Sequence, residues 1–138
     1  VDHPAIDRQV TLEELLKEAD IVSLHCPLTE ETRGMIGEEQ LRMMKKTAVL
    51  INTARGPVAD SEALAKALTE GRIAGAACDV FETEPPLDAE HPLLHTPNTI
   101  VTPHIAFASE ESMEQRADIV FENLYAWLEG KQLNKVEI

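Results

Sequence analysis

Apolar positions along this chain come in short blocks, separated by polar stretches with helical spacing. Four blocks are apolar almost throughout: Ile21 to Cys26, Ala48 to Asn52, Ala74 to Val80, and Ile100 to Thr102. Blocks of this length read as buried strands, and Pro27 and Gly56-Pro57 stop the first two. The intervening segments read as helices. Thr11-Leu12-Glu13-Glu14 is a capping box, in which Thr11 caps and Glu14 reaches back, opening a helix through about Ala19. Glu38 to Met44 has helical spacing, and a helix from about Ser61 to Glu70 precedes Gly71, placed as a helix-ending glycine. Ser109 caps the longest helix, with Glu110 and Glu111 in its first turn. Met113, Ala117, Val120, Leu124 and Leu128 follow helical spacing along it with Phe121 beside them, and Gly130 ends it. Trp127 reads as a packing residue of this helix.

Apolar strands separated by helical segments predict an α/β fold with a parallel sheet covered on both faces. The pattern changes near His104. Upstream, strand and helix alternate; Glu84 to Asn98 is an irregular connection carrying Pro85, Pro86, Pro92 and Pro97. Downstream there is one long helix and a polar tail, Lys131 to Ile138. No internal repeat or low-complexity segment is present.

The formal charge of −13 sets the first limits on function. It opposes binding to nucleic acid, whose phosphates it repels, and to anionic membrane surfaces. It says little about small anionic substrates, since one local arginine outweighs a distant mean field. A hydrophobic fraction of 43% and a charged fraction of 27% are those of a globular domain. Cys26 and Cys78 lie in or beside strand blocks, as small core residues do, which favours a reducing compartment over a disulfide framework. No run spans a bilayer and the amino end has no signal pattern, so the expected location is cytoplasmic.

Three clusters carry the candidate chemistry. Arg55 lies in Asn52-Thr53-Ala54-Arg55-Gly56, Glu84 in Asp79-Val80-Phe81-Glu82-Thr83-Glu84-Pro85-Pro86, and His104 in Thr102-Pro103-His104-Ile105-Ala106. Each follows a strand block, so each side chain emerges at a strand's carboxyl end, the ligand-binding edge of an open parallel sheet. An arginine offers a fork of donors for a carboxylate. A histidine moves protons near neutral pH, and a carboxylate beside it holds it charged and oriented. The set suits reduction of a 2-oxo acid. His3, His25, His91 and His95 read as structural, His25 as a strand-end packing residue, and nothing near them completes a metal ligand set.

A dinucleotide-binding fold usually opens with a Gly-x-Gly-x-x-Gly turn followed by an acidic residue for the ribose. No glycines here have that spacing; Asp2 is the single candidate for the acidic role and reads better as a surface residue.

With these motifs in order, the chain resembles the D-isomer-specific 2-hydroxyacid dehydrogenases from about Thr11 to about Asn134. The landmarks are Ala19-Asp20-Ile21-Val22-Ser23-Leu24-His25-Cys26-Pro27-Leu28, then Leu50 to Gly56, then the Glu84 and His104 clusters. The resemblance implies part of a Rossmann-like, doubly wound NAD-binding domain over 1–108, lacking its glycine-rich first strand-turn-helix. It implies that 109–138, helix and tail, return to a substrate domain. It assigns catalysis to Arg55, Glu84 and His104. Arg55 would bind the substrate's carboxylate and 2-oxo group, His104 would donate the proton, and Glu84 would pair with His104. It assigns the cofactor to Cys26, Pro27, Thr53, Ala54, Arg55, Asp79 and His104. The first two form the adenosine wall, and Asp79 contacts the nicotinamide carboxamide. It further implies NAD as cofactor, a small 2-oxo or 2-hydroxy acid as substrate, and a homodimer. Glutamate at 84 departs from the formate dehydrogenase branch, which carries glutamine, and fits a proton-transfer reaction. Ala59 replaces a usually larger aliphatic residue, a packing variation.

Two readings follow. In the first, the chain is the carboxyl-terminal part of an NAD-dependent D-2-hydroxyacid dehydrogenase, inactive alone and aggregation-prone through its open sheet edge and helix stripe. In the second, it is a dehydrogenase-derived binding or regulatory module without turnover. The missing glycine-rich turn motivates the second; the presence of all three reactive side chains opposes it.

Overall fold

The computed structural model describes residues 4–136, so Asp2 and His3 lie outside the described residues. The chain forms two units, Val1–His104 and Ile105–Ile138.

The first unit is built on four strands, β1 (Ile21–Leu24), β2 (Val49–Asn52), β3 (Gly75–Cys78) and β4 (Thr99–Val101). They are parallel and lie in chain order, β1-β2-β3-β4. Helices α1 (Leu12–Glu18), α2 (Glu38–Met43) and α3 (Ser61–Thr69) precede or connect them, with α1 packed on α2 and α2 on α3. Neighbouring parallel strands joined by right-handed crossovers place their connecting helices on one side of the sheet.

Burial follows that rule. The register aligns Val22 with Leu50 and Ala76, and Leu24 with Asn52 and Cys78. All six are buried on one face. Against them lie Leu16 of α1, Leu41 of α2, and Leu64 and Leu68 of α3, each no more than 2% exposed. Each such leucine contributes about 1.5–3 kcal/mol through burial. Alternate strand positions face the other side of the sheet. Ile21 on β1 and Ile100 on β4 are 63% and 67% exposed, and Val49, Ile51 and Ala77 are only partly covered. The strand blocks are apolar on both sides, but the helices of this unit cover only one.

Local signals behave as chemistry dictates. Thr11 caps α1 by accepting from the Glu14 N–H at 3.2 Å, but the Glu14 carboxylate turns to Arg8 at 3.3 Å, leaving the box half formed. Asp60 caps α3 through the Ala63 N–H at 3.0 Å. Gly71 ends that helix at φ +62°, where a side chain would be strained.

In the second unit, α4 (Glu110–Leu128) is capped by Ser109, whose side chain accepts from the Ser112 N–H. Glu111 at its start has its carboxyl held below the ordinary value by hydrogen bonds from its own backbone N–H and from Ser109. Gly130 follows at φ +75°, and the tail returns to the helix end, with Lys131 N–H donating to Ala126 O. Met113, Val120, Phe121, Leu124 and Leu128 are all at least 47% exposed. Trp127 is 67% exposed. No described helix is long and apolar enough to cross a membrane.

Candidate active site

The loops that leave the carboxyl ends of β1 to β4 carry every residue singled out for chemistry. After β1, Cys26 is half-buried, and the Pro27 carbonyl accepts from Thr32 Oγ1 at 2.7 Å. His25 does not pack into the strand end, as expected above; it is exposed and its Nε2 meets Ser23 Oγ at 2.8 Å.

After β2 the chain turns sharply around Asn52, which is 2% exposed. Its Oδ1 accepts from the Ala54 N–H and its Nδ2 donates to Arg55 O, both at 3.1 Å. A short amide that bridges backbone two and three residues ahead suits this turn, and a buried amide so satisfied holds it rigid. Thr53 is half-buried and Ala54 buried beneath it. The Arg55 side chain is exposed, with Nη1 donating to Ala54 O at 2.6 Å. Among the described residues Arg55 forms no ion pair with Glu84, whose partner is His104.

The segment beyond Arg55 is clamped from both sides. On one side Gly34 N–H donates to Pro57 O at 2.8 Å and Ile36 N–H to Val58 O at 3.0 Å. On the other, Gly56 lies against the backbone of Phe81 and Glu82.

After β3, Asp79 is 4% exposed and accepts from Thr102 Oγ1 at 2.5 Å. Its carbonyl accepts from the His104 N–H at 2.9 Å, which extends the β3–β4 pairing to the histidine. His104 has φ +55°, a left-handed conformation that costs a non-glycine residue about 1–3 kcal/mol and persists only where surroundings enforce it.

The central contact joins β3's loop to β4's. His104 Nδ1 donates to Glu84 Oε2 at 2.6 Å, and Glu84 Oε1 accepts from the Phe81 N–H at 2.5 Å. Both carboxylate oxygens are thereby occupied as acceptors. Because the carboxylate accepts, Nδ1 carries a hydrogen. A cavity of about 360 Å³ adjoins the pair, walled by Phe81, Leu87, Leu94 and Val101. Apolar walls strengthen charge–charge interactions beside them.

Structure also brings in groups that sequence reasoning passed over. Glu82 Oε1 accepts from Ser61 Oγ at 2.6 Å, and Oε2 meets His91 Nε2 at 3.2 Å. Burial raises the Glu82 carboxyl's pKa, but bonds from Ser61, its own backbone and His91 outweigh that, leaving it below its ordinary value. His91 is thus more than a loop residue, and the signal was available only as Glu82 nine positions before a histidine. Cys78, in β3, has its thiol pushed up to about 11 by burial and the Glu82 charge.

Known proteins match most of this chain. Residues 2–106 match the family model described as D-isomer specific 2-hydroxyacid dehydrogenase, NAD binding domain. A glyoxylate reductase of Korarchaeum cryptofilum is 57% identical over 122 residues, 88% of this chain and 36% of that protein. A glycerate dehydrogenase of Methylorubrum extorquens is 48% identical over 134 residues, 95% of this chain and 42% of that protein. The crystal structure of a D-isomer specific 2-hydroxyacid dehydrogenase from Lactobacillus delbrueckii ssp. bulgaricus, in its NAD complexed form, superposes with a TM-score of 0.81 at 38% identity. It covers 93% of this chain and 43% of that one. This chain spans less than half the length of each of these relatives. On this match, the chain belongs to the D-isomer specific 2-hydroxyacid dehydrogenase family, within its NAD binding domain.

Proposed function

We propose that these residues are the carboxyl-terminal part of an NAD-dependent oxidoreductase that interconverts a D-2-hydroxy acid and its 2-oxo acid. Glyoxylate and hydroxypyruvate lead the expected substrates, ahead of lactate-like and phosphoglycerate-like acids, because the relatives named above act as a glyoxylate reductase and a glycerate dehydrogenase. The complete protein works as a homodimer in this reading, without nucleic acid or membrane partners. The observation that carries the reading is the 2.6 Å His104–Glu84 hydrogen bond at the sheet's carboxyl edge, beside the loop that presents Arg55.

The residues present fit the nicotinamide half of a dinucleotide. Asp79 is a buried carboxyl group at a strand end, whose oxygens can accept from the N–H donors of a carboxamide. Thr53, Ala54 and Arg55 line the same edge, and Cys26 and Pro27 stand on the adenosine side. Bound NADH supplies the hydride, two electrons that go to C2 of the oxo acid. Arg55 grips the substrate carboxylate through its fork of donors, fixing which face of the carbonyl is presented. His104 Nε2 gives its proton to the carbonyl oxygen as the C=O π bond becomes an O–H bond, and takes it back in the reverse reaction. Glu84 fixes the imidazole's tautomer and offsets the positive charge the ring carries before transfer. The guanidinium and imidazolium together stabilise negative charge that develops on that oxygen.

The test is NADH consumption by the full-length protein across a panel of 2-oxo acids. His104→Ala lowers kcat by about 10²–10⁴-fold, the usual share of a general acid, while NADH binding survives. Turnover near that of the wild type would sink the assignment. The 138 residues carry no Gly-x-Gly-x-x-Gly turn for the pyrophosphate, and the expected result for them alone is no turnover; activity of the isolated chain would overturn that part.

A further inference from the structure

We infer that a second glutamate–histidine pair, Glu82 and His91, positions the His104–Glu84 pair by holding Phe81 between them. This rests on the function proposed above and assigns positioning residues for that site.

Phe81 is the joint. Its backbone N–H donates to Glu84 Oε1 at 2.5 Å, so any shift of its peptide moves the carboxylate that orients His104. Its carbonyl side lies against Gly56, next to Arg55, with no room for a Cβ. The residue is 8% exposed, and its ring meets the His91 ring edge-on, with centroids 5.2 Å apart and planes at 81°. Such a T-shaped contact has a preferred geometry and resists rotation of either ring.

His91 is itself fully engaged. Its Nδ1 accepts from the Leu93 N–H at 3.3 Å, so Nε2 carries the hydrogen and donates to Glu82 Oε2 at 3.2 Å. Its side chain is only 12% exposed. Glu82 then reaches Ser61, the first residue of α3, at 2.6 Å. The chain of contacts is therefore Ser61–Glu82–His91–Phe81–Glu84–His104. It ties the start of α3 and the Pro92–Leu94 turn to the proton-transfer group. Since Phe81 and Glu82 are adjacent, one side of this short segment is anchored to the scaffold while the other presents an N–H to Glu84.

The experiment measures kcat, substrate KM and NADH affinity of the full-length protein carrying His91→Ala, Glu82→Ala, Glu82→Gln and Glu84→Ala. His91→Ala and Glu82→Ala lower kcat by about 10- to 100-fold, the scale of an ångström-level misplacement, with NADH affinity unchanged. Glu82→Gln restores near-wild-type kcat, because the amide can turn to accept from His91 and donate to Ser61 Oγ. In a Glu84→Ala background, His91→Ala changes kcat less than about twofold, since the route through Glu84 is already cut. Wild-type kcat in folded, NADH-binding His91→Ala overturns the inference, as does full additivity with Glu84→Ala. If His91→Ala does not fold, Glu82→Ala and Glu82→Gln decide alone: equal kcat in the two overturns it. His104→Ala in the same assay separates this from the function itself, because only an active His104→Ala variant removes the parent reading.

Discussion

Gly56 and Phe81 touch backbone to backbone: a Cβ at position 56 would lie 1.9 Å from the Phe81 carbonyl carbon and 2.2 Å from its oxygen. No side-chain rotation relieves a clash with backbone. Gly56 is therefore required for close approach, the reason a glycine stands directly after Arg55. Gly56→Ala should destabilise the protein by about 1–3 kcal/mol, the scale of overpacking. It should also lower kcat/KM more than this loss of folded protein explains, because it pushes apart the loops that carry Arg55 and Glu84. Thermal unfolding alongside kinetics of the folded fraction checks both parts.

Arg55 tests geometry against charge. Arg55→Lys keeps the positive charge but loses the planar fork. The expected result is KM for the 2-oxo acid raised about tenfold or more, one bidentate contact's worth of 1.4 kcal/mol. A lysine variant with wild-type KM would show that Arg55 acts only as a charge.

The two cysteines should differ sharply towards thiol reagents. Cys78 is 3% exposed with its thiol pushed up to about 11, so little thiolate exists at mildly alkaline pH and access is closed. Cys26 is half-buried at a strand end. Brief alkylation of the native protein followed by peptide mass analysis should find label at Cys26 and none at Cys78 until denaturant is added. Label at Cys78 in the native state would contradict the packing of β3.

Glu82 gives a pH dependence with a definite sign. Its carboxyl is held below the ordinary value of 4.5, so the folded state binds its proton less readily than the unfolded state. Its contribution is complete above that ordinary value and is lost as pH falls through the lowered folded value. The group is partly solvated, so screening limits the effect to under about 1 kcal/mol. Denaturant unfolding of Glu82→Gln should show a shallower loss of stability on the acid side than wild type. Identical acid limbs would mean that the Ser61 and His91 bonds do not hold the charged form.

Much of this molecule was legible in residue order. Four strands, three of the connecting helices' boundaries to within a residue or two, the Ser109 cap, and the Gly71 and Gly130 stops were all readable, because each depends on neighbours a few positions away. So was the placement of Arg55, Glu84 and His104 at strand ends, since parallel strands with helical crossovers must put their exits on one edge.

What the chain order could not reveal were contacts between loops. The His104–Glu84 bond spans 20 residues, Ser61–Glu82 spans 21, and Thr102–Asp79 spans 23. Their closure depends on the β2–β3–β4 register and on a glycine at 56 thin enough to admit the Phe81 backbone. His91 looked like one more loop histidine until Phe81 and Glu82 were folded against it. Which face these helices cover was equally hidden. An apolar strand block states that both sides prefer burial, but only the handedness of the crossovers decides which side these helices cover. Periodicity is thus a local property and was readable from the chain alone, while the alignment of His104 with Glu84 is a property of register and close backbone approach, which exist only once the sheet has formed.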